Sequence, residues 1–268
     1  MKEAPNKVQD HAEAVASRLF EALFVGARME KLQPDPPRTH DFDLLHSNGK
    51  SAVEVTVSLN EAVKHTQMRI RKDGLAKTEL CKKTWWIQTA PGADIRKIRR
   101  EADPHLADIE SDGVERFFCP TDWHTPSVGR IFRALRVSSG SVISWKGPGI
   151  YIDLGPMGGR VDANAAVEAA LREARKADNR TKLGATNANK RYLVVYVDPA
   201  SNYLPWKALQ DFAPPSEPLQ LPVEVTDIWI FTETRTRSQH EYVVWQASAS
   251  SPWRRIGPLV LPDSTAND

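Results

Sequence analysis

The chain has 268 residues, 41% hydrophobic and 26% charged, with a formal net charge of +2; this is enough chain for one large domain or two small ones, and the near-neutral balance gives no global argument for nucleic acid. Its two cysteines, Cys81 and Cys119, lie far apart without CxxC spacing, which excludes a disulfide framework and argues against zinc; two reduced thiols are expected. No apolar run of about 18 residues occurs, so no membrane partner is expected, and an N-terminus without basic and apolar signal regions points to a cytoplasmic protein.

The first element expected is a helix from Lys7 to Arg28, with Val8, Ala12, Val15, Leu19 and Leu23 on a 3.6-residue period. Pro34, Pro36 and Pro37 then break helix and favour extended chain. Asp41 to Ser58 reads as a β-hairpin turning at Asn48-Gly49. Asn60 is the expected N-cap of a helix running to Lys72, with Glu61 favourable in its first turn. Thr84 to Gln88 reads as a buried strand, Pro91-Gly92 as a turn, and Ile95 to Ile109 as a helix. Residues 114–162 alternate short strands with Gly- and Pro-containing turns and read as an insertion or an extra sheet region.

An alanine-rich helix is expected from Asn164 to Lys176 or on to Ala188, with Val167, Leu171, Ala174 and Ala177 as its buried stripe. Arg191 to Asp198 is a continuous apolar run, as in a strand buried on both faces of an α/β sheet. A short helix near Pro205 to Phe212 precedes a C-terminal hairpin within 223–247, and residues 263–268 read as a disordered tail. The eight tryptophans are expected mainly in the core.

The hairpin carries the chemistry. A two-residue turn at Asn48-Gly49 places Asp43 opposite Glu54 and Asp41 opposite Thr56, all four on one face, with Phe42, Leu44, Val53, Val55 and Val57 on the other. Like charges directly opposite each other are destabilising, and a divalent cation is the simplest way to offset them. An exposed polar face on an ordinary antiparallel pair is the plainer alternative. No HxxxH, HExxH, GxSxG, P-loop or GxGxxG pattern occurs, and the histidines read as ordinary surface or partly buried residues.

Helix, hairpin, helix and strand in this order, with an Asp on one strand and Glu54-Val55-Thr56 on the next, resembles the PD-(D/E)xK restriction-endonuclease-like superfamily. The resemblance covers residues 8–90, with 164–198 completing the core, and Thr56 stands where the family has its lysine. It implies a single α/β domain over 1–262 with a mixed central sheet flanked by helices. It further implies a metal-dependent nuclease, with a bacterial defence or DNA-processing role. Asp41 or Asp43, with Glu54, would hold Mg²⁺ or Mn²⁺. Thr56 would position water, Lys64 or Lys182 would replace the missing ammonium, and Glu13 on the first helix would add a carboxylate.

Local charge fits a nucleic-acid partner. Residues 64–100 hold eleven Lys or Arg against three Asp or Glu, and residues 172–191 hold seven against two. The competing expectation is a non-catalytic module of the same fold that binds nucleic acid or protein.

Overall fold

The computed structural model describes residues 7–33, 39–47, 49–118, 126–145, 147–155, 161–235 and 240–261. Cys119, residues 156–160 and the tail at 263–268 lie outside the described residues. The fold is α/β, with two mixed sheets flanked by helices. No described helix is long and apolar enough to cross a membrane.

Where one domain was expected, the chain divides into two compact units: Met1–Leu59 with Gly159–Asp268, and Asn60–Gly158. The first opens with α1 (Lys7–Leu23), β1 (Arg28–Lys31), β2 (Phe42–His46) and β3 (Gly49–Ser58). The second holds α2 (Glu61–Asp73), β4 (Leu75–Ala76), β5 (Thr84–Thr89), α3 (Ile95–Ser111), β6 (Arg116–Phe118), α4 (Pro126–Ala134), β7 (Val137–Ile143) and β8 (Gly149–Leu154). The chain then returns to the first unit with α5 (Ala163–Ala174), α6 (Ala177–Gly184), β9 (Arg191–Val197), α7 (Tyr203–Asp211), β10 (Asp227–Arg235), β11 (His240–Ser248) and β12 (Ser251–Val260).

The first unit is built on a seven-stranded sheet in the order β1-β2-β3-β9-β10-β11-β12. β9 runs parallel to β3 and β10, and the remaining pairings are antiparallel. Strand alternation divides β3 and β9 between two cores. Val53, Val55, Val57, Tyr192, Val194 and Tyr196 pack on α1 with Leu19 and Phe20. Ala52, Leu193, Val195 and Val197 pack on the other side against alanines of α5 and Leu183 of α6. The small side chains of α5 let that helix lie close to the strands. Its buried stripe is Ala166, Ala169, Ala170, Glu173 and Ala174, rotated from the expected Val167-Leu171 face, because the small residues face the sheet.

The second unit has a five-stranded sheet in the order β4-β8-β5-β7-β6. Trp85, Ile87, Phe117, Ile150 and Ile152 form its core with Ile95, Ile98 and Leu106 of α3. The Thr84 strand therefore belongs to this sheet and not to the one that holds the hairpin, although the resemblance had grouped both within residues 8–90. Asn60 caps α2 as expected, its Oδ1 accepting from the Val63 N–H at 3.2 Å. Trp85, Trp229, Trp245 and Trp253 are buried, in line with core packing, while Trp145 is exposed.

Gly140 of β7 sits under the Phe117 ring, and a Cβ there would meet ring carbons at 2.4 Å. That ring is itself stacked on Phe132 at 5.2 Å. Gly140→Ala is expected to destabilise the second unit by about 1–3 kcal/mol through overpacking. Urea unfolding, with amide exchange to locate the loss, checks this; an unchanged midpoint would refute it.

Candidate functional site

The hairpin register differs from the expected one by two residues. Phe42 pairs with Val53, Asp43 with Ala52 and His46 with Gly49, and residue 48 lies outside the described residues. Gly49 takes φ of +130° as the first strand residue, which glycine tolerates. A two-residue shift keeps every side chain on its face, so the expected face assignment survives while the opposing pairs change. The observed register avoids a direct Asp43–Glu54 confrontation.

Asp43 is consequently not the partner of Glu54. Its Oδ1 meets His40 Nε2 at 2.7 Å and its Oδ2 accepts from Lys50 Nζ at 2.8 Å, which draws its carboxyl below the ordinary range against the opposing effect of burial. Asp43 therefore faces His40 and Lys50, where the expected register had set it against Glu54. His40 is itself buried, against Asp43.

Asp41 takes the place expected for Asp43. Continuing the ladder one residue past Phe42–Val53 sets Asp41 beside Glu54. β3 runs on beyond the end of β2, and its exposed backbone edge is closed by side chains: Val55 N–H donates to Asp41 Oδ2 at 2.8 Å, and Gln9 Nε2 donates to Val55 O at 2.8 Å. Gln9 also donates to Glu13 Oε1 at 3.0 Å, and Lys31 pairs with Glu13 Oε2 at 2.8 Å. Glu13 thus stands at the rim of the site, where its charge helps to raise the Asp41 carboxyl; burial is the larger cause.

Glu54 is 2% exposed. Its Oε1 accepts from Lys182 Nζ of α6 at 2.8 Å, and its Oε2 is buried without a hydrogen-bond partner among the described residues. Burial first, then the neighbouring Asp41 charge, push Glu54 up to about 8 despite Lys182. Lys182 is raised in turn by Glu54, Asp41 and Asp178, which together outweigh its own desolvation. Lys64 lies on α2 in the second unit; the ammonium that meets Glu54 is that of Lys182.

Thr56 shares the Glu54 face but turns its hydroxyl to Glu173 Oε2 at 3.2 Å, the oxygen that also pairs with Lys176 at 2.6 Å. Glu173 is fully buried, and its Oε1 has no partner among the described residues. Sequence reasoning missed Glu173. The available signal was an acid on the small-residue face of an alanine-rich helix, three residues before a lysine.

The donor set fits a hard divalent cation. Asp41 and Glu54 offer carboxylate oxygens on adjacent chain segments, and Glu54 Oε2 is buried without a hydrogen-bond partner among the described residues. Among the described residues no group of three or more His, Cys, Asp or Glu is placed to hold a metal ion. The basic segment expected to face phosphates is largely engaged within the unit. Arg180 bonds Glu224, Lys190 bonds Asp227 and Arg172 donates to Ser58. Comparison of the chain with family models, curated proteins and solved structures gives no match.

The raised Glu54 carboxyl makes stability depend on pH. A carboxyl whose folded pKa lies above its unfolded value stabilises the fold fully below the ordinary pKa of 4.5, and that contribution is lost as pH rises through about 8. Glu54→Gln removes the titration. The melting temperature of wild type is therefore expected to fall relative to Glu54→Gln between about pH 5 and about pH 9. Parallel pH curves for the two proteins would contradict the assignment.

Proposed function

We propose that the first unit is a divalent-metal-dependent phosphodiesterase acting on nucleic acid, a relative of the PD-(D/E)xK nucleases whose lysine has moved from the strand to a helix. The observation that carries this reading is the 2.8 Å contact between Lys182 Nζ and Glu54 Oε1, with Asp41 alongside. It adds to the two carboxylates of Asp-x₁₂-Glu-Val-Thr the ammonium that the motif lacks in sequence. The order α1, hairpin β2–β3, α5, and β9 parallel to β3 supports the same reading.

Asp41 and Glu54 would hold Mg²⁺ or Mn²⁺, which supplies charge neutralisation at a phosphate oxygen and an acidified water. The chain's own residues do the rest. The Asp41 carboxylate is fixed by the Val55 N–H, so it is oriented before any ligand arrives. Lys182 is held between Glu54 and Asp178, at 2.8 and 3.3 Å, and presents its ammonium where negative charge would build on the phosphate. Glu13 and Lys31 fix the rim. Thr56 is engaged by Glu173, so its part is to pack and orient the strand face, not to stand in for the lysine.

Cleavage of labelled DNA and RNA with Mg²⁺ or Mn²⁺ tests the proposal. Wild type is expected to cleave and Glu54→Gln to be inactive. Lys182→Ala is expected to lose on the order of 10²–10³ in rate, as for removal of one preorganised transition-state donor. Equal residual cleavage by all three proteins, or none by wild type, would overturn it and favour the non-catalytic binding module.

A further inference from the structure

Two adjoining clefts in the first unit lead away from Lys182. One, of about 470 Å³, is lined by His40, Lys50, Lys182, Thr186, Asn187 and Asn189 among others. The other, of about 690 Å³, shares Lys50 and Asn189 with it and adds Lys190, Ser51 and an aromatic wall of Phe24 and Tyr192. Both open where β3 and β9 begin, since Lys50 is the second residue of β3 and Lys190 immediately precedes β9.

No carboxylate lines either cleft among the described residues. The carboxylates lie behind the walls and hold the cations in place. Asp43 and Asp227 have side chains only 9% and 10% exposed, whereas their partners Lys50 and Lys190 are 58% and 56% exposed. An ammonium carries three donors, and one carboxylate takes one of them. A ligand entering the clefts therefore meets ammonium, imidazole, hydroxyl and carboxamide groups. Buried anchors reduce the entropy lost when each lysine engages a phosphate.

We infer that these clefts form a track for a single nucleic-acid strand, whose successive phosphates contact Lys182, Lys50 and Lys190 as the strand leaves the Asp41–Glu54 pair. Each cleft has the volume of a single-ligand pocket, about 300–1,000 Å³, which suits one nucleotide at a time. The half-buried Phe24 packs on the buried Tyr192 with ring centroids 6.0 Å apart, and both contribute to the wall of the second cleft. The inference rests on the nuclease reading for its direction, since the track starts at the lysine that serves the acidic pair.

The test is fluorescence anisotropy with a labelled single-stranded oligonucleotide and the corresponding duplex, in EDTA so that nothing is cleaved, across a salt series. The single strand is expected to bind more tightly than the duplex. Lys50→Ala and Lys190→Ala are each expected to weaken binding severalfold and to reduce the slope of log affinity against log salt by about 0.7, one phosphate contact on a single strand. Lys50→Arg, which keeps the charge and the reach to Asp43, should restore the slope, as a misfolded protein would not. Lys207→Ala, on α7 and paired with Asp211 at 2.7 Å, should leave it unchanged. Tighter duplex binding, wild-type slopes in both alanine variants, or an equal change in Lys207→Ala would overturn the track. Cleavage by wild type with unaltered slopes would remove the track and leave the nuclease reading standing; altered slopes without cleavage by any protein would do the reverse.

Discussion

Burying a carboxylate costs several kcal/mol unless a cation and hydrogen bonds compensate, and Glu54 is compensated on one oxygen only. The helix that brings Lys182 to it must lie close to β3, which requires the small residues of α5 and the immediate restart of the chain as α6. The strand must place an even-numbered residue on that face, which fixes the hairpin register in steps of two. The crossover from β3 to the parallel β9 must be long enough to hold both helices. Hydrophobic packing on its own would be satisfied by an apolar residue at position 54. The acid is therefore the residue whose presence the packing does not explain, and the ligand chemistry proposed for it does.

The unequal length of β2 and β3 is the second constraint. Where β2 stops, β3 has backbone groups with no strand to pair with. Asp41 and Gln9 satisfy them, and in doing so they are oriented toward Glu54 and Glu13. One set of hydrogen bonds thus completes the sheet and fixes the acidic groups. The same strand ends, followed in the opposite direction, open into clefts walled by lysines whose counter-charges are buried. The proposed ligand pair thus lies midway along β3 and the clefts at its start.

Much of this was legible in the sequence, and the failures are local. Periodicity gave α1, α2, α3, β5 and β9 because each has a strong pattern or cap. The face carrying Asp41, Asp43, Glu54 and Thr56 was legible because parity survives a two-residue slip. Register was not: Asn48-Gly49 is a strong turn signal, but lateral interactions decided, with Lys50 and His40 taking Asp43 and Val55 taking Asp41. Lys182 was one of two candidate lysines, and only the fold distinguishes it from Lys64, which belongs to another unit. The extra sheet was foreseen within 114–162, but Glu173 and the joining of β5 to that sheet were missed for a shared reason. Each depends on contacts between segments far apart in sequence, which no window of periodicity contains.

The central claim is that Asp41 and Glu54, not Asp43, form the ligand pair. Mn²⁺ titration followed by electron paramagnetic resonance tests it without relying on activity. One bound Mn²⁺ is expected in wild type, in Asp43→Asn and in Thr56→Val, with binding lost in Asp41→Asn and Glu54→Gln. Binding retained in both Asp41→Asn and Glu54→Gln, or abolished by Asp43→Asn alone, would contradict the account.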